Sequence, residues 1–235
     1  MLCLRPPGKE GLPVTPVRSA QNLIWIDLEF TNLDPGSAFI MQAAMIITTP
    51  DLVPIPPPGI PEEVGGLLYD VHLDAAKAAT ASDWVKANQA EQLKRSQGDE
   101  ALPIDKVEEV FLAYLLTACE VPSNKRDRPL LCGNSVHGDY RFICHHMRKL
   151  EDLLSFRLLD VTTIKEISRR WCPDLEYRKT DETIKQWYPG KADLHGEAHD
   201  ALYDIKGSIA ELNFYRHTVF GQDARKNAVA APKRG

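Results

Sequence analysis

The run Leu23-Ile24-Trp25-Ile26-Asp27-Leu28-Glu29-Phe30 sets two carboxylates, Asp27 and Glu29, two residues apart in an apolar, β-prone segment. In a strand, side chains at i and i+2 share a face. Two acids there repel each other and resist burial, so something cationic has to compensate. A divalent cation does so directly, and hard oxygen ligands suit Mg²⁺ or Mn²⁺. A solvated sheet face is the alternative. Trp25 shares the acids' alternation and the run reads as a central strand, and both points favour a metal. A third carboxylate, Asp139, follows the turn Gly133-Asn134-Ser135-Val136-His137-Gly138 at the expected start of a helix. Free N–H groups and the helix dipole favour a carboxylate there, and capping alone accounts for it. A fourth lies in His199-Asp200-Ala201-Leu202-Tyr203-Asp204. Asp204 is expected mid-helix beside a core stripe of Ala201, Leu202, Ile205, Ile209 and Leu212, an unusual place for an unpaired acid. His199 stands near the start of that helix, and a histidine, the side chain that switches charge near neutrality, can deprotonate a water. It can equally be a helix-terminal residue with no chemical task. Cys144-His145-His146 is not read as a zinc site, because no second close ligand pair completes a tetrahedron.

Each piece is weak alone, but the ordered set is specific. D-x-E on a first strand, an aspartate after a G-N-S turn and a late H-x4-D resemble the DEDD exonucleases of the histidine-bearing subgroup. The likeness extends to Trp25–Asp34, Ser82-Asp83-Trp84, Gly133–His137, Leu159–Glu166, Arg169-Arg170-Trp171 and Glu211–Arg216. These segments resemble oligoribonuclease, closest to its eukaryotic form, and the resemblance covers Asn22 to Val219.

The resemblance implies an α/β fold, an RNase H-like mixed β-sheet flanked by helices. It implies two divalent cations, Mg²⁺ or Mn²⁺, held by Asp27, Glu29, Asp139 and Asp204, with His199 as general base. It implies a substrate of short single-stranded RNA, cut from the 3′ end to 5′-nucleoside monophosphates, and a homodimer. Leu33 matches the residue that wedges between two bases, and Trp84 the aromatic that stacks on one. Ser135 matches a polar contact in the pocket. Thr162 and Lys165 sit near the family's cap over the 5′ phosphate. Phe156 and Arg157 stand where the family has an aromatic and an arginine that reach the other subunit's substrate. Some positions depart from the pattern. Gln42 replaces a glutamate on the second strand, Asn88 and Gln89 replace histidines, Asn32 replaces a glycine and Phe156 a tyrosine. The segments Pro54–Pro61 and Tyr177–His195 are also unusual for the family.

The elements that must position these residues can be read from periodicity. Strands are expected at Leu23–Phe30, Phe39–Thr48, Leu67–Leu73, Leu130–Asn134 and Leu158–Val161. Helices are expected at Asp83–Arg95, Asp139–Leu150, Thr162–Trp171 and Ala198–Tyr215. Another, Ile104–Ala118, carries an apolar stripe at Val107, Val110, Phe111, Tyr114 and Leu115. Six prolines between Thr49 and Gly66 predict an irregular excursion, and Tyr177–Gly196 reads as loop-rich. Strands first, then strands alternating with helices, indicate a mixed sheet.

The 235 residues, 43% of them apolar, suffice for one sizeable core. The expected domain is 22–219, between a disordered leader at 1–21 and a disordered tail at 220–235. The net charge of −5 shows no basic stripe, which argues against tracking long nucleic acid. No apolar run nears the ~20 residues of a membrane span. Five widely spaced cysteines without a C-x-x-C pair, and no signal-peptide core, predict an intracellular protein, mitochondrial or cytoplasmic and not secreted. Two other functions compete with the short-RNA enzyme: a 3′ exonuclease on longer RNA or DNA, and a weakly active or non-catalytic subunit of a ribonucleoprotein complex.

Overall fold

The structure is a computed structural model, and it describes residues 18–191 and 200–221. Residues 1–17 of the expected leader, His199, and residues 222–235 of the expected tail lie outside the described residues. The leader's last residues are tied to the domain: Arg18 Nε donates to the Cys119 carbonyl at 2.9 Å, and Ser19 N to that of Ala118 at 3.3 Å.

β1 (Leu23–Phe30) and β2 (Ile40–Thr48) pair antiparallel, in register from Leu23 with Thr48 to Glu29 with Gln42, and the register shifts after Glu29. β3 (Leu67–Asp70) adds antiparallel outside β2. On the other side, β4 (Leu130–Gly133) runs parallel to β1, and β5 (Leu158–Asp160) parallel to β4. The order β3-β2-β1-β4-β5 is the mixed sheet that the sequence predicts. β1 is its centre, so its acids cannot lie on an edge.

Both faces of the sheet are covered. Ile24, Ile26 and Leu28 of β1 join Ala43, Met45 and Ile47 of β2 against α4 (Ile104–Ala118) and α5 (His137–His146). Leu23, Trp25, Ala44 and Ile46 face α8 (Asp181–Trp187) and α9 (Ala201–Thr218). Alternation carries Asp27 and Glu29 onto this second face, beside the N-terminus of α9. The remaining helices are α1 (Ala75–Ala78), α2 (Asp83–Asn88), α3 (Ala90–Arg95), α6 (Arg148–Glu151) and α7 (Val161–Trp171). No helix among the described residues is long and apolar enough to cross a membrane.

Four expectations need correction. The helix expected over Asp83–Arg95 breaks at Gln89 (φ −129°), whose side chain turns to the sheet. The helix expected from Asp139 begins at His137 and breaks at Met147, which is fully buried. The loop-rich stretch after Tyr177 contains α8, started by a capping box of Thr180 and Thr183. Asp204 lies in the first turn of α9, not mid-helix, because Asp200 caps that helix by accepting from Leu202 N and Tyr203 N.

Candidate metal centre and nucleotide cleft

The parallel strands β1, β4 and β5 all end on one side of the sheet. The crevice at such C-terminal ends, where the strand order departs in two directions from β1, is where open α/β sheets bind ligands. The candidate site lies there. Asp27, Glu29 and Asp204 each offer one carboxylate oxygen, and the three oxygens lie within 4.8 Å of one another. Two come from β1 and one from the first turn of α9. The sheet holds that turn in place, because Gln42, opposite Glu29, accepts from Ala201 N at 3.1 Å.

Asp139 joins from α5. It lies in the first turn of α5, as expected, where its own backbone N–H favours the carboxylate. Its Oδ1 also accepts from Leu28 N at 2.9 Å, the β1 residue between Asp27 and Glu29. That bond wraps the buried Asp139 carboxylate around the end of β1, close enough for its charge to act on Asp27. Four of the five residues proposed for chemistry therefore converge. The fifth, His199, lies outside the described residues, next to the N-cap Asp200.

The cluster resists ionisation. Burial raises the Asp27 pKa well above the carboxylate range, and Asp139, Asp204 and Glu29 push it further. Burial pushes Glu29 up to about 7, against a hydrogen bond from Gln89. Burial also pushes Asp139 up to about 7, against the Leu28 N–H. Buried, mutually repelling hard oxygen donors are short of positive charge, and this donor set fits divalent cations. Lys179, paired with Asp204, offsets part of the charge.

Beside Glu29 opens a cleft of about 550 Å³ with largely apolar walls. Phe30, Leu33, Trp84, Val85 and Gln89 line it. Leu33 is 82% exposed and Trp84 54%, high values for large apolar side chains. Local chemistry holds them so. Asn32 Oδ1 accepts from Asp34 N at 2.9 Å, and Asp34 accepts from Gly36 N and Ser37 Oγ, which fixes the turn that projects Leu33. Ser82 caps α2 through Val85 N while its own N–H donates to the Thr31 carbonyl, so Trp84 is locked alongside that turn.

Ser135, Thr162 and Lys165 form a second, polar group. Ser135 has a left-handed φ of 52°, and its N–H donates to both Asp160 Oδ1 and Thr162 Oγ1 at 2.9 Å. Its hydroxyl is 3.2 Å from that of Thr162. Asn134 and Lys165 both reach the buried Glu211 carboxylate, at 3.1 Å each. Phe156 and Arg157 join neither group. Phe156 is half exposed, with the Arg157 guanidinium 5.6 Å over its ring.

Two contacts at the acids went unforeseen in the sequence. Gln89, noted only as a departure, donates to Glu29 Oε2. Lys179 had no signal at all. Asn88, the other departure, bonds its own helix at the Trp84 carbonyl, 2.8 Å away.

The model of the RNase T family, described as an exonuclease, matches residues 24–212. The oligoribonuclease of Aeromonas hydrophila is 35% identical over 209 residues, spanning 86% of this chain and 97% of its own. That of Vibrio cholerae serotype O1 is 36% identical over 209 residues, with the same coverage. That of Pseudomonas syringae pv. tomato is 34% identical over 201 residues, covering 85% and 97%. Among solved structures, cell-death related nuclease 4 superposes with a TM-score of 0.56 at 17% identity, covering 86% of this chain and 66% of that one. Exonuclease I of E. coli in complex with a dA16 oligonucleotide gives 0.57 at 12% identity, covering 89% and 43%, so the chain spans less than half of that protein. These two likenesses show the fold. Fold, site and relatives together define a hydrolytic nuclease of the α/β class. Within that class the chain belongs to the RNase T exonuclease family, in its oligoribonuclease branch.

Proposed function

We propose that this chain is a 3′-to-5′ exoribonuclease that hydrolyses short single-stranded RNA, dinucleotides favoured, to 5′-nucleoside monophosphates. The observation that carries the reading is the convergence of four acids at the mouth of a cleft walled by two exposed apolar side chains. Asp27, Glu29, Asp139 and Asp204 would hold two divalent cations, Mg²⁺ or Mn²⁺. Bound there, such ions would supply charge stabilisation for hydrolysis at phosphorus. His199 takes the proton of the attacking water. Leu33 and Trp84 hold the 3′ nucleotides by wedging and stacking, which reads no base identity. Ser135, Thr162 and Lys165 close over the 5′ phosphate, and such a closed end excludes long chains. Phe156 and Arg157, set apart from both groups, are free to reach the substrate of a second subunit in a homodimer. Buried Cys119 and Cys132, both free thiols, agree with an intracellular setting, mitochondrial or cytoplasmic.

The test is a time course on 5′-labelled RNA of two, five and twenty nucleotides with Mg²⁺ or Mn²⁺, alongside Asp204→Ala. Rapid loss of the dinucleotide and slow attack on the long strand are expected. The variant should lose about 10³-fold or more in rate, as befits several kcal/mol of charge stabilisation. Equal attack on all lengths points to a general 3′ exonuclease. No metal-dependent cleavage at any length leaves a binding subunit of a ribonucleoprotein complex.

A further inference from the structure

The acid cluster is served by a cation the chain carries itself. Lys179 Nζ is ion-paired with Asp204 Oδ1, and Asp204 shares its 4.8 Å neighbourhood with Asp27 and Glu29. The lysine's charge reaches both of those acids and opposes the rise in their pKa values. The route of its side chain is built into the fold. The stem crosses α9 over Gly207, where an added Cβ would lie 2.4 Å from Cε and 3.2 Å from Cδ. Its Nζ passes 5.5 Å from the centre of the Tyr203 ring, and the Tyr203 hydroxyl donates to Asp181 Oδ1 at 2.7 Å. The next residue, Thr180, caps α8, and α8 is held to α9 by Ile184, Trp187 and a 2.7 Å bond from Asn213 Nδ2 to the Trp187 carbonyl. The backbone of Lys179 is thus anchored, while its side chain is 36% exposed.

We propose that Lys179 is a positioning residue, a tethered counter-ion that must leave Asp204 before that carboxylate can take a divalent cation. It thereby sets the divalent-ion concentration the enzyme requires. The inference rests on the reading of Asp27, Glu29 and Asp204 as metal ligands. One ammonium balances only one of the carboxylates, so divalent ions still win, but against competition.

The experiment is calorimetric titration of the full chain with Mn²⁺ alone, without RNA, comparing wild type, Lys179→Met and both in an Asp204→Asn background. Methionine keeps the stem over Gly207 and removes the charge. Lys179→Met should bind Mn²⁺ roughly 5-fold more tightly or better, and the gain should vanish with Asp204→Asn. In wild type, Mn²⁺ should also speed acylation of Lys179 by an amine-reactive ester, read by mass spectrometry, which needs no variant to fold. Unchanged or weaker Mn²⁺ binding in Lys179→Met, with unchanged labelling in wild type, overturns the role of Lys179 and leaves the metal reading standing. Wild type that binds no Mn²⁺ overturns both.

Discussion

Glu29 and Asp139 hold protons to about pH 7, because burial penalises their charged forms. An unfolded chain releases those protons near the ordinary values of 4.5 and 3.8. Between those values and about 7 the folded chain therefore binds more protons than the unfolded one, and stability falls as pH rises through that window. Thermal melts in chelator should show a Tm that declines from about pH 5 to about pH 7, and Mn²⁺ should restore it most at the upper end. A Tm that stays flat in chelator contradicts the burial argument. Gln89 acts on the same carboxylate by donating to Glu29 Oε2. Substitution of a residue that orients a metal ligand costs about 10- to 100-fold in metal affinity. Gln89→Ala should lose that much in Mn²⁺ titration while melting close to wild type.

At the scale of elements, the site depends on where α9 starts and what it rests on. Asp200 caps the helix, Gln42 takes the Ala201 N–H, and Asp204 arrives at the cluster one turn later. The contact between α9 and the sheet is tight at Gly66, just before β3. A Cβ there would meet Leu202 Cδ1 at 2.8 Å, the Met45 carbonyl oxygen at 2.8 Å and Ile46 Cγ1 at 2.6 Å. Two of these are side-chain atoms that can shift, but the carbonyl belongs to β2 and cannot. Gly66→Ala should therefore cost about 1–3 kcal/mol in urea unfolding. It should also weaken Mn²⁺ binding, since it pries Asp204 from Asp27. Normal stability in that variant would mean the helix sits further from the sheet than these distances state.

On the scale of the whole molecule, β1 joins the core to the acid cluster. One face of it builds the core with α4 and α5, the other continues from Trp25 to the two acids, and its end receives Asp139. Phe156 and Arg157 lie outside this arrangement, and a homodimer, as proposed above, would give them a task. Light scattering should return twice the chain mass. Phe156→Ala should keep that mass and raise KM for the dinucleotide, by about 5-fold or more for a lost base contact of ~1–3 kcal/mol. A monomer that cleaves dinucleotides at full rate would remove the second subunit from the reading.

The sequence alone determined the elements and most of the chemistry. The two-residue spacing of Asp27 and Glu29, the stripe of α4 and the turn before Asp139 were legible because strand and helix periods and turn chemistry are local, whereas Leu33 and Trp84 were marked only by the family resemblance. It misjudged the breaks at Gln89 and Met147, where a tertiary contact overrides helix propensity. Only the tertiary structure decided how the acids are served. Asp139 bonds to Leu28, 111 residues away, Gln89 to Glu29 across 60 and Lys179 to Asp204 across 25. No local period links such pairs. They meet because sheet order and helix packing bring four separate segments to the end of β1, and a sequence shows the charge that needs a partner without showing which partner folding delivers.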